Sequence, residues 1–148
     1  MNDDNPKISV IMPSFNEINY IEECLESVVN QTLEDIEIIC VDGESNDGTL
    51  EILNKYASQD SRIQVYTSDK KSYGHQVNLA LSKAKGEYVG IIETDDFIEK
   101  DMFEQLYSLT ENGTVDIVKS TFYHYNDSDK ENIKITVNDA KKNIKTKE

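Results

Sequence analysis

Apolar residues fall in two alternating rhythms along this chain. Ile8 to Met12 is a short apolar run halted by Pro13, and Ile18, Ile21, Leu25, Val28 and Val29 follow at helical spacing. The pair Asn19 and Glu22 has the form of a helix start signal. Ile36 to Val41 reads as a second buried strand. It stops at the polar, glycine-bearing loop Asp42 to Thr49, after which Leu50, Leu53, Tyr56 and Ala57 mark another helix. Ile63 to Tyr66 is a weaker third strand, Lys70 to Gly74 a loop, and Val77, Ala80, Leu81 and Ala84 a third helix. Gly86 to Ile92 then supplies a strand long enough to be buried. Met102, Phe103, Leu106 and Leu109 predict a fourth helix, and Val115 to Val118 a fifth strand. Repeated strand and helix alternation predicts an α/β fold, a Rossmann-like and mostly parallel sheet flanked by helices.

From Asn126 onward the composition turns to Lys, Asn, Asp and Glu, with only Ile133, Ile135 and Val137 alternating as an edge strand would. The expected organisation is a folded domain over residues 1–125 and a polar tail over 126–148, the latter the start of a truncated region. At 148 residues the chain suits one domain and is short for an enzyme that must hold two substrates.

Charge narrows the candidate ligands. Fifteen basic against twenty-nine acidic residues give a formal charge of -14, which repels nucleic acid and excludes an electrostatic DNA or RNA binder. A phosphorylated ligand needs a cation as a bridge. Cys24 and Cys40 lack metal-site or redox spacing and read as small core residues; His75 and His124 have no ligand spacing either. The amino terminus lacks a signal-peptide core and no apolar run has membrane-spanning length, so the expected location is cytoplasmic, with peripheral contact at the inner membrane face left open.

The sharpest chemistry is in Ile91-Ile92-Glu93-Thr94-Asp95-Asp96, where an apolar strand ends in three carboxylates. Two carboxylates about 4 Å apart repel by roughly 4 kcal/mol at an effective dielectric near 20, which solvent or a cation must offset. Hard oxygen ligands favour magnesium or manganese. Two further loops follow strands, Pro13-Ser14-Phe15-Asn16-Glu17 and Asp42 to Thr49, and in a parallel sheet the three share one edge. There Phe15 can stack on a flat base, Asp42 can accept from a base N–H, and Asp95 with Asp96 can hold a metal on a diphosphate. Each has a plainer reading: Phe15 as a core plug, Asp42 or Asp47 as a turn or helix cap, Glu17 as a helix-start residue.

The proline-aromatic-asparagine loop, the aspartate loop ending Asp47-Gly48-Thr49, and Gly86-Glu87-Tyr88 leading into Glu93-Thr94-Asp95 resemble the family 2 glycosyltransferases of the GT-A fold over roughly residues 7 to 122. The resemblance implies nucleotide contacts from Pro13, Phe15, Glu17, Asp42, Glu93 and Asp95, metal ligation by Asp95 and Asp96, and Mn2+ or Mg2+ as cofactor. It implies inverting transfer of a sugar from a nucleotide diphosphate sugar, UDP-linked by expectation, to a hydroxyl of a glycan or lipid-linked acceptor, in surface polysaccharide synthesis. The general base in such enzymes lies downstream, so this chain is expected to bind donor with little transfer of its own. The alternative is a non-catalytic nucleotide-sugar-binding or assembly module.

Three departures from the family pattern are visible. Glu93 stands where an aspartate is usual, and its reach is longer by one bond, about 1.5 Å. Gly43 and Glu44 replace an aspartate and a glycine. Val77 replaces an arginine before Asn78, and Lys70 or Lys71 is the available substitute for its charge.

Overall fold

In the computed structural model, residues 5–125 and 132–135 are described. Four parallel strands form the sheet: β1 (Ile8–Ser14), β2 (Ile36–Asp42), β3 (Ile63–Thr67) and β4 (Tyr88–Ile91), in the order β3-β2-β1-β4. The helices between and after them are α1 (Ile21–Val29), α2 (Thr49–Gln59), α3 (Tyr73–Leu81) and α4 (Met102–Ser108). Every residue of β1 and β2 is buried, which explains why their sequences are largely apolar rather than alternating; the polar pair within them, Ser9 and Glu37, is joined by a hydrogen bond.

Alternate residues of the strands feed two cores. Val10, Met12, Ile38 and Cys40 pack with Ile21, Cys24, Leu25 and Val28 of α1, Leu53 and Tyr56 of α2, and Phe103 of α4. On the other face Ile11, Ile39 and Val41 meet Ala80 of α3. The sheet is thus covered on both sides, as parallel sheets require.

The strand after α3 differs from the expectation of burial. β4 is an edge strand whose residues alternate in exposure, and Val89 and Ile91 are 46% and 44% exposed. The helix start differs as well. No side chain caps α1; instead the N–H groups of Tyr20 and Ile21 both donate to the Glu17 carbonyl, so a backbone turn begins the helix in place of Asn19.

Val115 to Val118 is not a strand. Its residue preferences suit one, but among the described residues no strand pairs with it, and the Val115 carbonyl accepts from the Tyr88 hydroxyl at 2.7 Å. The next strand is β5 (Phe122–Tyr125), antiparallel to β6 (Asn132–Ile135) in a separate two-stranded sheet. This pairing joins residues on either side of the compositional shift at Asn126. Ile133 and Ile135 fall in β6, and Val137 lies outside the described residues.

Candidate functional site

The carboxyl ends of β1, β2 and β4 lie side by side, and three loops continue from them. Register brings Ser14 opposite Asp42, and Ile11 opposite Ile91. Beyond the ladders, Gly43 N–H donates to the Ser14 carbonyl at 2.8 Å, and the Thr94 hydroxyl to the Pro13 carbonyl at 3.1 Å. The β1 loop is therefore tied to each of its neighbours.

The first two loops are laced together. Asn16 N–H donates to Ser45 Oγ and Asn46 N–H returns a bond to Asn16 Oδ1, both at 2.9 Å. Glu17 N–H reaches Thr49 Oγ1 and Ile18 N–H reaches Asp47 Oδ2. Asn16 and Glu44 take left-handed backbone angles, φ 55° and 63°, which tight loops impose on residues other than glycine at some cost. Asp47 also accepts from the N–H and hydroxyl of Thr49, closing a turn at the head of α2.

Phe15 is 41% exposed, a surface aromatic rather than a core plug. The Lys71 ammonium lies 5.3 Å from its ring centroid, within cation–π range. Asp42, in contrast, is fully buried. Its carboxylate accepts from the N–H and hydroxyl of Ser45, at 2.8 and 2.5 Å, and from the Ser14 hydroxyl at 3.5 Å. Fully enclosed, it can meet a base N–H only if the Ser45 loop over it moves.

In the β4 loop, Glu93, Asp95 and Asp96 are exposed, while Ile92 before them and Thr94 among them are buried, so the strand alternation persists as far as Asp95. The Cys24 thiol contacts the Glu93 carbonyl at 3.5 Å from below. The Tyr73 hydroxyl donates to Glu93 Oε1 at 3.1 Å, an anchor that sequence reasoning missed. Burial first, then the charges of Asp95 and Glu93, push the Asp96 carboxyl upward. Burial, Asp95 and Asp47 do the same to Glu17, which brings Glu17 into the acidic field of the β4 loop.

This field suits a divalent cation, with hard oxygen donors that disfavour one another's charge. Among the described residues, no three His, Cys, Asp or Glu side chains are grouped to hold a metal unaided. The donor set fits an ion bound by one or two carboxylates and completed by ligand phosphates, the usual manner for magnesium. His75 pairs with Asp69 at 3.2 Å, a structural contact beside the site, and the His124 side chain lies outside the described residues.

Comparison with known proteins identifies the family. The glycosyltransferase GlyG of Streptococcus pneumoniae serotype 4 is 38% identical over 123 residues, which is 82% of this chain and 41% of that protein. A structure of S. aureus TarS in complex with UDP superposes with TM-score 0.67 and 32% identity, over 72% of this chain and 32% of that one. The mannosyltransferase PcManGT of Pyrobaculum calidifontis, in complex with GDP-Man and Mn2+, gives TM-score 0.58 and 29% identity, over 64% of this chain and 29% of its own. The chain thus spans well under half the length of these relatives. The model of Glycosyl transferase family 2 matches residues 9–147, and with three strand-end loops meeting at one sheet edge beside these relatives, the chain belongs to that family.

Proposed function

We propose that this chain forms the donor-binding part of an inverting glycosyltransferase that takes a sugar from a nucleotide diphosphate sugar, UDP-linked, and passes it to a hydroxyl of a glycan or lipid-linked acceptor. The observation that carries the reading is the convergence of an exposed aromatic, Phe15, and an acidic cluster, Glu93 to Asp96, on one sheet edge through the Thr94 to Pro13 bond. The TarS complex with UDP, at 32% identity, supports the choice of base.

In this reading Phe15 stacks on the base, with Pro13 shaping its loop, and Asp42 accepts a base N–H once Ser45 releases it. Glu93, held by Tyr73, addresses the ribose, while Glu17 lines the pocket. Asp95 and Asp96 hold Mn2+ or Mg2+; the PcManGT complex with Mn2+ supports a divalent ion. When bound, such an ion neutralises charge developing on the departing diphosphate. The acceptor hydroxyl also needs a base to take its proton, a contribution of roughly 10²- to 10⁴-fold. No carboxylate among the described residues is identified for that step, so donor binding is expected to exceed transfer. Work at the cytoplasmic face of a membrane, in polysaccharide synthesis, is the setting this reading favours; no helix among the described residues is long and apolar enough to cross a membrane.

Calorimetric titration of UDP with and without Mn2+ tests the reading. Binding should require Mn2+ and be lost in the Asp95→Asn, Asp96→Asn double variant. Metal-independent binding, or equal binding by the variant, would remove the metal assignment. Retention of the fold without any UDP binding would remove the donor site. Efficient transfer by the chain alone would show that the general base is present in it.

A further inference from the structure

Gln76 is the one long polar side chain on the sheet-facing side of α3, one turn before Ala80. It is 4% exposed. Its Nε2 donates to the Ser14 carbonyl at 2.7 Å and to the Val41 carbonyl at 3.1 Å. These carbonyls belong to the residues immediately preceding Phe15 and Asp42. The β1 to β2 ladder ends at Ser14 and Asp42, so the amide crosses the gap where the two strands separate into site loops.

Gly43 is shaped to this side chain. A Cβ there would stand 2.7 Å from Gln76 Nε2, 3.3 Å from its Cδ and 3.4 Å from the Ser14 carbonyl oxygen. Gly43 is not among the glycines with positive φ, so backbone conformation does not demand glycine at this position. Space for the amide does. Ser14 O accepts from Gly43 N–H as well as from Gln76, and the three groups form one joint.

We propose that Gln76 is a positioning residue of the nucleotide site, setting the spacing between the strand end that carries Phe15 and the one that carries Asp42, and that Gly43 is its obligatory partner. A buried amide costs stability unless hydrogen-bonded, and here both hydrogens of one nitrogen are spent on the two site-bearing strands. An apolar residue would fill the same volume without joining them. The proposal rests on the donor-site reading and assigns to this pair the half of the site that receives the nucleoside. The diphosphate half, at Asp95 and Asp96, is attached to β1 separately through Thr94.

The test compares the unaltered chain with Gln76→Ala, Gln76→Met, Gly43→Ala and the Gly43→Ala, Gln76→Ala pair. Uridine, UDP with Mn2+ and inorganic diphosphate with Mn2+ are titrated by calorimetry, well below each melting midpoint. Gln76→Ala and Gln76→Met should weaken uridine and UDP by about tenfold, and the metal diphosphate by no more than about twofold. Gly43→Ala should weaken UDP similarly in the unaltered background, yet add no more than about twofold to Gln76→Ala, because the clashing amide is gone. Gln76→Met keeps the core filled should the alanine variant fail to fold. A lowered melting midpoint with uridine affinity unchanged would reduce Gln76 to a core filler and overturn the proposal. An equal cost of Gly43→Ala in both backgrounds would overturn the pairing. If the unaltered chain binds neither uridine nor UDP, the donor site and this proposal fall together; normal UDP binding by every variant sinks this proposal alone.

Discussion

The Lys71 ammonium rests over the Phe15 ring, 5.3 Å from its centroid, in a chain whose formal charge is -14. A cation is thereby held at the edge proposed to bind the nucleotide, in the loop before α3, where the third helix itself offers Val77 in place of a charged residue. Lys71→Met should weaken UDP by about three- to tenfold, as for the loss of one partly screened charge contact. Uridine, lacking phosphates, should bind no less tightly. Titration of both ligands checks this, and equal losses would mean that Lys71 serves the aromatic stack rather than the phosphates.

Tyr73 and Glu93 make the second prediction. Burial, the hydrogen bond to Glu93 and the charge of Glu93 all push the Tyr73 hydroxyl upward, so it stays a donor throughout the neutral range. Tyr73→Phe deletes only that donor. UDP affinity should fall by about threefold, the scale of one exposed hydrogen bond, with the melting midpoint nearly unchanged. Glu93→Gln combined with Tyr73→Phe should cost less than the sum of the two if the hydroxyl acts through Glu93.

Acid stability should report on Asp60. The Arg62 side chain donates to both its carboxylate oxygens, and its hydrogen bonds hold the Asp60 carboxyl below the ordinary range. The folded-state value is thus depressed relative to the unfolded one, near 3.9. The stabilisation is present above the unfolded value and is lost as pH falls through the folded one. Urea unfolding from pH 7 down to 2 should show Asp60→Asn less stable at neutral pH and less sensitive to acid than the parent. Arg62→Ala should cost about 1 to 3 kcal/mol, since the guanidinium also satisfies the Val29 carbonyl at the end of α1.

Both thiols should be silent in the native protein. Burial pushes Cys24 and Cys40 up to about 12, so almost no thiolate exists at pH 8. A disulfide reagent should modify neither until denaturant is added, and then both. Rapid native reaction of one thiol would show that the floor beneath Glu93, where Cys24 sits, opens on its own.

The sheet and its loops were legible because each buried strand and each amphipathic helix carries its own pattern. Ile36 to Val41 and the α2 stripe Leu53, Tyr56 need no distant partner to be recognised. Val115 to Val118 carries the same residue preferences and forms no strand, because strand formation needs a pairing edge and the Tyr88 hydroxyl takes the Val115 carbonyl instead. The site divided along the same line. Loop composition pointed to Phe15 and the acidic segment, whereas the burial of Asp42 depends on Ser45 and Ser14 closing over it. Tyr73 is twenty residues from Glu93 and Gln76 sixty-two from Ser14, and no local pattern links them. A polar residue within the apolar stripe of α3 was the available signal for Gln76.

The order in which the sheet is assembled has a consequence for synthesis. β1 leaves the ribosome before the other described strands, yet Ile8 finds its second neighbour at Tyr88, eighty residues later. Until that stretch has emerged, a strand that is fully buried in the finished fold has one side unmatched, and closing so long a loop precedes any reward from the contact. The nascent chain therefore passes through a stage in which β1 can pair with strands from other polypeptides, a stage at which binding by a chaperone would favour yield. Slower translation between β3 and β4 should prolong this stage and raise the fraction of aggregated product, although the finished fold is unchanged.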